Sequence, residues 1–417
     1  NSPTLCRLYV DAALQPIRQR WSGCIIYHYI DDILFAQQGP FSKHQIQEIR
    51  QHLATHQLVV AEEKVQSSAP WRYLGWTISQ KFVTPQKLQL KTQIKTVNDA
   101  QKLLGDLQWL QPVVGIPSEL LSELRPLLRG SDPTLPVTVS PRQQEVLQQI
   151  TDCVTQGKVQ RRSWEHPLEL TLWAESTYVL GAITQSQKKT GVVGVLEWIS
   201  PGIQQTKTLL QKMEILANVI KKGRERILQV DATEPALIRV PMKKESFEWF
   251  LSNSEALQEA LLGLACPILT DKLVDIPLAW MGKWQWIVIP KRQIQPIAGA
   301  RTVFTDAGKK SHTAAITWEE EGQWQHQILK GLRTGSLQTL ELLAVIWALA
   351  TMNRPLNIVM DSAYVAGVVA RIEGALIKEV QNQRLFSLFN QLLQAVNSRE
   401  HEYAIIHIRS HKWDVGL

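Results

Sequence analysis

Two adjacent carboxylates, Asp31 and Asp32, interrupt a run that is otherwise apolar and β-prone, and no other feature constrains the first segment as strongly. Residues 24–30 lead in and Ile33, Leu34, Phe35 and Ala36 lead out, so the pattern predicts strand, tight acidic turn, strand, with both strands largely buried. Ionised carboxylates are costly among apolar neighbours unless something neutralises them, and a divalent cation bound through oxygen does so. The turn is a candidate metal-binding hairpin, with an ordinary solvated Asp-Asp turn as the alternative.

Three further acids are delivered by apolar elements in the last third. Residues 302–305 predict a short strand ending at Asp306, followed by strands near 314–318 and 324–329. Residues 336–350 predict a helix apolar nearly all round, hence buried, with Glu341 inside it. A lone glutamate there must neutralise at considerable cost or find a cation. Residues 356–360 form a fully apolar run of the parallel-sheet type, and Asp361 emerges at its carboxyl end, where sites in α/β folds tend to lie. Three carboxylates converging in one cleft suit two divalent ions about 4 Å apart, the arrangement used for in-line phosphodiester displacement.

Between these regions the pattern is first helical, near residues 87–111, 118–128 and 141–157. Lys87, Lys91 and Lys95 recur at four-residue spacing, which predicts one basic helical face that is either solvated or in contact with phosphates. Gln101, Gly105 and Trp109 share that spacing. A mid-helix glycine costs about 1 kcal/mol relative to alanine and is tolerated where another surface approaches closely, either a ligand or a neighbouring helix. Residues 165–300 predict strands at 168–172, 178–184 and 226–230 with a helix over 209–222. Glu175, Glu214 and Asp231 follow one another there in the order of the later acids, as in an internal repeat, and are expected to be relics or surface residues. Trp280, Trp284 and Trp286 predict a packing cluster.

At 417 residues the chain exceeds one compact core, and several domains are expected. Lys and Arg total 45 against 38 Asp and Glu, an excess of +7 that suits a polyanionic partner. Cys6, Cys24, Cys153 and Cys266 lack Cys-X-X-Cys spacing, which argues against zinc sites and disulfides. No run of 18 apolar residues and no signal peptide is present, so no membrane or secreted role is expected.

Tyr29-Ile30-Asp31-Asp32 resembles the Tyr-X-Asp-Asp signature of retroviral reverse transcriptases. Residues 1–18 look like the helix that precedes it, and Trp71, Arg72, Tyr73, Leu74, Gly75 and Trp76 look like the primer-grip hairpin. Residues 101–109 with Gly115, Ile116 and Pro117 are similar to the first thumb helix. Residues 304–307, 340–341 and 360–363 resemble the first three acidic motifs of ribonuclease H. The likeness covers the whole chain and is strongest toward avian and beta-type retroviruses and their endogenous relatives, group K included.

This resemblance implies an α/β (α+β, multidomain) architecture. It comprises a partial palm (1–86), a helical thumb (87–164), a degenerate ribonuclease H-like connection (165–300) and a ribonuclease H domain (301–417) with a mixed five-stranded sheet flanked by helices. It implies hydrolysis of the RNA strand of RNA–DNA hybrids at Asp306, Glu341 and Asp361 with two Mg2+, Mn2+ being a substitute, and a histidine, His411, that assists proton transfer and product release. A fourth aspartate is expected about ten residues beyond that histidine, so Asp414 is not carried over. Asp31 and Asp32 would be polymerase metal ligands whose third carboxylate lies upstream of Asn1, so polymerase activity is not expected. Tyr29, Trp71, Tyr73, Gly75, Trp76, Gln101, Gly105 and Trp109, together with the three lysines, would contact the template–primer duplex or hybrid. A non-catalytic duplex-binding chain, or a structural subunit of a homo- or heterodimer, is the alternative. A cytoplasmic or intravirion location is expected.

Overall fold

Helix α1 (Ser2–Arg20) buries Val10, Ala13, Leu14 and Ile17, the spacing that puts four side chains on one helical stripe. That stripe packs with Ile26 and Leu53 into a small core. The computed structural model describes residues 2–86, 90, 92–130, 132–175, 178–186, 193–202, 205, 207–272, 274, 284–331 and 335–409. The chain divides into two units, Asn1–Lys87 and Leu88–Leu417, each described by itself.

In the first unit, strands β1 (Ile25–Tyr29) and β2 (Asp32–Ala36) pair antiparallel, with Tyr29 opposite Asp32 closing the turn. The hairpin predicted from sequence is present, but it is not a buried run: Ile25, Tyr27 and Tyr29 are each more than half exposed while Ile26 is buried. A two-stranded ribbon laid on a helix covers one face only, so alternate residues point outward. Helix α2 (Lys43–Thr55) starts at a capping box in which Ser42 and Gln45 satisfy each other's backbone N–H. Strands β3 (Trp71–Tyr73), β4 (Trp76–Ile78) and β5 (Phe82–Pro85) follow as an antiparallel meander. The tight turn between β3 and β4 needs positive φ at Leu74 and Gly75.

The second unit opens with α3 (Val97–Val114), which begins ten residues later than predicted. Thr96 accepts from the Asp99 N–H, and the Asp99 carboxylate accepts from the backbone N–H groups of Thr96 and Lys95 at 3.0 and 3.1 Å, so the helix is capped here. Lys95 therefore precedes the helix, and the predicted basic face does not extend to it; Lys87 and Lys91 lie outside the described residues. Helices α4 (Ser118–Leu124) and α5 (Pro141–Gln156) and the short strand β6 (Val159–Gln160) come next.

A five-stranded sheet follows, built from β7 (Glu169–Ala174), β8 (Val179–Ser186), β9 (Val193–Ile199), β11 (Ile238–Arg239) and β12 (Ile268–Leu269). Its order is β12-β11-β7-β8-β9. Strand β10 (Leu209–Gln211) and helix α6 (Lys212–Asp231) lie between β9 and β11, and helices α7 (Lys244–Asn253) and α8 (Glu255–Leu261) precede β12. The predicted strand over 226–230 is the end of α6. Gly223 and Ile227 continue the buried stripe of Val219 and Ile220, and only at Ala232 does the backbone turn left-handed and stop the helix. Trp173 is fully buried between Trp198, 5.7 Å away, and Trp284, stacked at 5.6 Å, which makes Trp284 a packing residue; Trp280 lies outside the described residues.

The final segment repeats this plan. Strands β14 (Arg301–Gly308), β15 (Thr313–Glu320) and β16 (Gln323–Lys330) form an antiparallel meander. Helix α9 (Leu337–Thr351) crosses to β17 (Leu356–Met360), which pairs parallel to β14. Helix α10 (Ala363–Ile372), strand β18 (Ala375–Ile377) and helix α11 (Gln383–Ser398) lead to β19 (Tyr403–His407), parallel to β17. The five expected strands are joined by a sixth, β13 (Arg292–Gln293), at the β19 edge. Among the described residues all four cysteines are free, and no helix is long and apolar enough to cross a membrane.

Gly115 ends α3 with φ +69°, and a Cβ there would meet the Trp198 ring at 2.7 Å. Gly115→Ala is expected to cost about 2 kcal/mol, from left-handed strain plus overpacking. The check is a lower urea midpoint in tryptophan fluorescence.

Candidate functional site

Parallel pairing of β14 with β17 brings two acids side by side. Phe304 lies opposite Val359, so Asp306 on β14 and Asp361, one residue past β17, sit at the same end of neighbouring strands. Helix α9 supplies the third. Its buried residues Leu340, Leu342, Val345 and Leu349 belong to the main core, and Glu341 projects where that packing meets solvent. Asp306, Glu341, Asp361 and Ser362 line one cleft with Val345, Met360 and Val365 as its apolar floor.

Burial pushes the Glu341 carboxyl above the ordinary range, a hydrogen bond from Ser362 opposes this, and the negative charges of Asp361 and Asp306 push it further up. Ser362 is also the N-cap of α10, accepting from the Val365 N–H at 3.4 Å. The Asp306 carboxylate accepts from the Ala307 N–H at 2.8 Å, and His407 Nε2 lies 3.2 Å from the Asp361 carbonyl. Among the described residues no three acids, histidines or cysteines already stand in metal-holding geometry, so the cleft gathers the three carboxylates without closing them. Their chemistry nevertheless fits a hard divalent cation: oxygen donors, like charges in mutual repulsion and no neutralising side chain in the lining.

Arg399 escaped sequence reasoning. Buried, it donates to the carbonyls of Leu349 and Met352 at 2.6 and 2.9 Å and of Arg354 at 2.6 Å, closing the end of α9 and aiming the chain into β17. Nothing in its local sequence marks that role, because its three acceptors lie some fifty residues away.

The other predicted residues fall in separate places. Asp31 and Asp32 are exposed at the β1–β2 turn, where Ile30 takes φ +56°. Tyr29 is exposed beside them, and Tyr73 lies close by: burial first, then the charges of Tyr27 and Asp32, push its hydroxyl up. Trp71 and Trp76 are half-buried on the β3–β4 hairpin, with Gly75 in its turn. Asp11 does not complete the pair of Asp31 and Asp32. It sits on α1, where Arg18 donates to it at 2.7 Å and holds its carboxyl below the ordinary range. Gln101, Gly105 and Trp109 share the exposed face of α3, opposite Leu103, Leu107 and Leu110. A Cβ at Gly105 would meet nothing within 4 Å, so close packing against a neighbouring helix does not explain the glycine.

Glu175, Glu214 and Asp231 do not reproduce the triad. Asp231 ends a helix, not a strand, and pairs with Arg162, while Glu214 is ion-paired with Lys207 and Arg371. His411 and Asp414 lie outside the described residues.

Four families match in succession. Residues 1–78 match the reverse transcriptase (RNA-dependent DNA polymerase) family and 85–148 the reverse transcriptase thumb domain. Residues 176–272 match an ERVK-8-like, RNaseH-like domain and 298–416 match RNase H. Across 99% of its length the chain is 32% identical to the Gag-Pro-Pol polyproteins of sheep pulmonary adenomatosis virus and of squirrel monkey retrovirus, and 29% identical to that of mouse mammary tumor virus. It spans 22–23% of the length of these relatives.

Because the folded state binds the Glu341 proton more tightly than the unfolded chain does, stability should fall as pH rises from the ordinary glutamate range through the raised value. Glu341→Gln is expected to remove that slope and to stabilise the metal-free protein near neutral pH, because the amide carries no charge to be desolvated or repelled. Thermal melting against pH checks it, with the difference vanishing in acid.

Proposed function

The chain belongs to the retroviral Pol family, carrying its reverse transcriptase, thumb and ribonuclease H domains, and from that premise we propose that it hydrolyses the RNA strand of RNA–DNA hybrids. The observation that carries this reading is the shared cleft in which Asp306, on β14, and Asp361, just past its parallel neighbour β17, meet Glu341 of α9. These three would hold the divalent metal, magnesium with manganese as substitute. Bound there, it supplies Lewis acidity to an in-line displacement that leaves a 3′ hydroxyl and a 5′ phosphate. Asp306 lies on the exposed side, open to a phosphodiester, while Glu341 is the more buried ligand and Ser362 fixes its carboxylate. The apolar floor limits water to the open side.

Duplex binding accompanies this activity, supported by the exposed α3 face of Gln101, Gly105 and Trp109. A glycine with open space over it lets a broad surface come close to the helix backbone. Asp31 and Asp32 are the polymerase pair of the first unit, and its other nearby acid, Asp11, is committed to Arg18.

Asp306→Asn should reduce magnesium-dependent cleavage of a labelled hybrid by more than about 100-fold, since a metal ligand is lost. Parental-level cleavage by this variant would sink the assignment. Gly105→Ala should stabilise α3 by about 1 kcal/mol yet weaken duplex binding, because the added methyl stands on the contact face. Titration of a fluorescent duplex at several salt concentrations measures it, and an unchanged affinity rules that face out.

A further inference from the structure

We propose that Glu214 is a positioning residue for the hybrid-cleaving cleft, acting through Arg371 to hold helix α10 and the Asp361-Ser362 pair at its start. The proposal rests on the functional reading of that cleft.

The two similar sheets are joined by a short ribbon. Strand β10 pairs antiparallel with β18, Leu209 opposite Ile377 and Gln211 opposite Ala375. Lys378 N–H donates to the Thr208 carbonyl at 2.8 Å, and the Gln205 side-chain amide donates to the Leu376 carbonyl at 3.0 Å. The ribbon exchanges side chains as well, because Leu209 belongs to the core of the last segment while Leu376 packs against the core of the preceding one.

Glu214 stands three residues beyond this ribbon. Its carboxylate accepts from the Gln211 N–H at 2.9 Å, from Lys207 Nζ at 2.6 Å and from Arg371 Nη2 at 3.1 Å on each oxygen. Burial disfavours its charge, but these three donors outweigh burial and hold the carboxyl below the ordinary range. Arg371 lies in the last turn of α10. Just past that turn, Glu373 accepts from the backbone N–H groups of Lys291 and Arg292 at 2.8 and 3.2 Å and from the Tyr403 hydroxyl at 3.3 Å. The carboxyl end of α10 is thus gripped from two sides, by Glu214 and by the backbone at Lys291 and Arg292, with Tyr403 of β19 as a further contact.

The amino end of the same helix carries the chemistry. Ser362 caps it and bonds Glu341, and Asp361 is the residue before the cap. A ten-residue helix is a rod about 15 Å long, so a tilt allowed at one end displaces the other. Glu214, on the helix that holds the place of α9 in the preceding sheet, thus reaches the helix that carries Asp361 and Ser362 at its start.

The test uses the full chain with Glu214→Gln, Arg371→Gln, the double variant and Arg371→Lys. Glutamine can still reach back to the Gln211 N–H, so Glu214→Gln keeps the helix start and removes only the charge. Each neutral single variant should lower kcat for hybrid cleavage roughly three- to fivefold, the range of a half-exposed ion pair, with KM unchanged and the melting midpoint lowered only slightly, so that the chain stays fully folded at the assay temperature. The double variant should be no worse than either single one, and Arg371→Lys should recover most of the rate. Amide exchange should quicken over residues 363–372 and not over 337–351. Unchanged kcat with unchanged exchange, additive losses, or an effect on KM alone would each overturn the proposal. If the parental chain shows no Asp306-dependent cleavage, the functional reading fails instead, and the exchange comparison decides the clamp by itself.

Discussion

Helix α9 buries an almost wholly apolar surface, and the one carboxylate it carries can lie only where that surface runs out. Leu340, Leu342, Val345 and Leu349 fix the rotation of the helix against the sheet, and Glu341 is thereby forced to the cleft edge, facing Asp306 and Asp361. Hydrophobic packing of about 1.5–3 kcal/mol per buried side chain easily exceeds the repulsion among three partly solvated acids. The unfavourable electrostatics persist because the core is stronger, and a cation that relieved them would bind more tightly for it.

The same reasoning accounts for the degenerate copy. Strands β7, β8, β9, β11 and β12 have the order and directions of β14, β15, β16, β17 and β19, with α6 in the place of α9. The copy keeps the packing, with Val219 and Ile220 on α6 fully buried under Leu170 and Leu172. It does not rebuild the site: Asp231 stands at the end of α6 and not of a strand, and Asp231 and Glu214 are ion-paired, with Arg162 and with Lys207 and Arg371 respectively. A carboxylate satisfied by an arginine has little left to offer a metal.

Long-range polar contacts decide how these elements meet. Arg399 ties the end of α9 to the loop entering β17, and Glu373 ties α10 to the backbone at Lys291 and Arg292. Both use side chains to hold backbone groups at the ends of elements that lie far apart in the chain. In the first unit Arg18 plays a comparable part, joining Asp11, His28 and the Ile26 carbonyl and so fastening α1 to the acidic hairpin.

Sequence by itself determined the elements whose signal is local. The apolar runs of β14, α9 and β17 could be read from periodicity, and with them the three acids they carry, because burial dictates residue type at close range. The Asp31-Asp32 turn was legible for the same reason. Tertiary structure alone decided the rest. The start of α3 at Val97, not near residue 87, depends on the Thr96–Asp99 cap. The exposure of Tyr27 and Tyr29 depends on how many faces of a hairpin are covered. Asp231 reads in sequence as a strand-end acid, yet α6 runs on to it because Ile227 lies in the core beneath the sheet. The gathering of Asp306, Glu341 and Asp361 follows from strand register and helix rotation. Both are set by contacts between residues far apart in the chain, which no local pattern records.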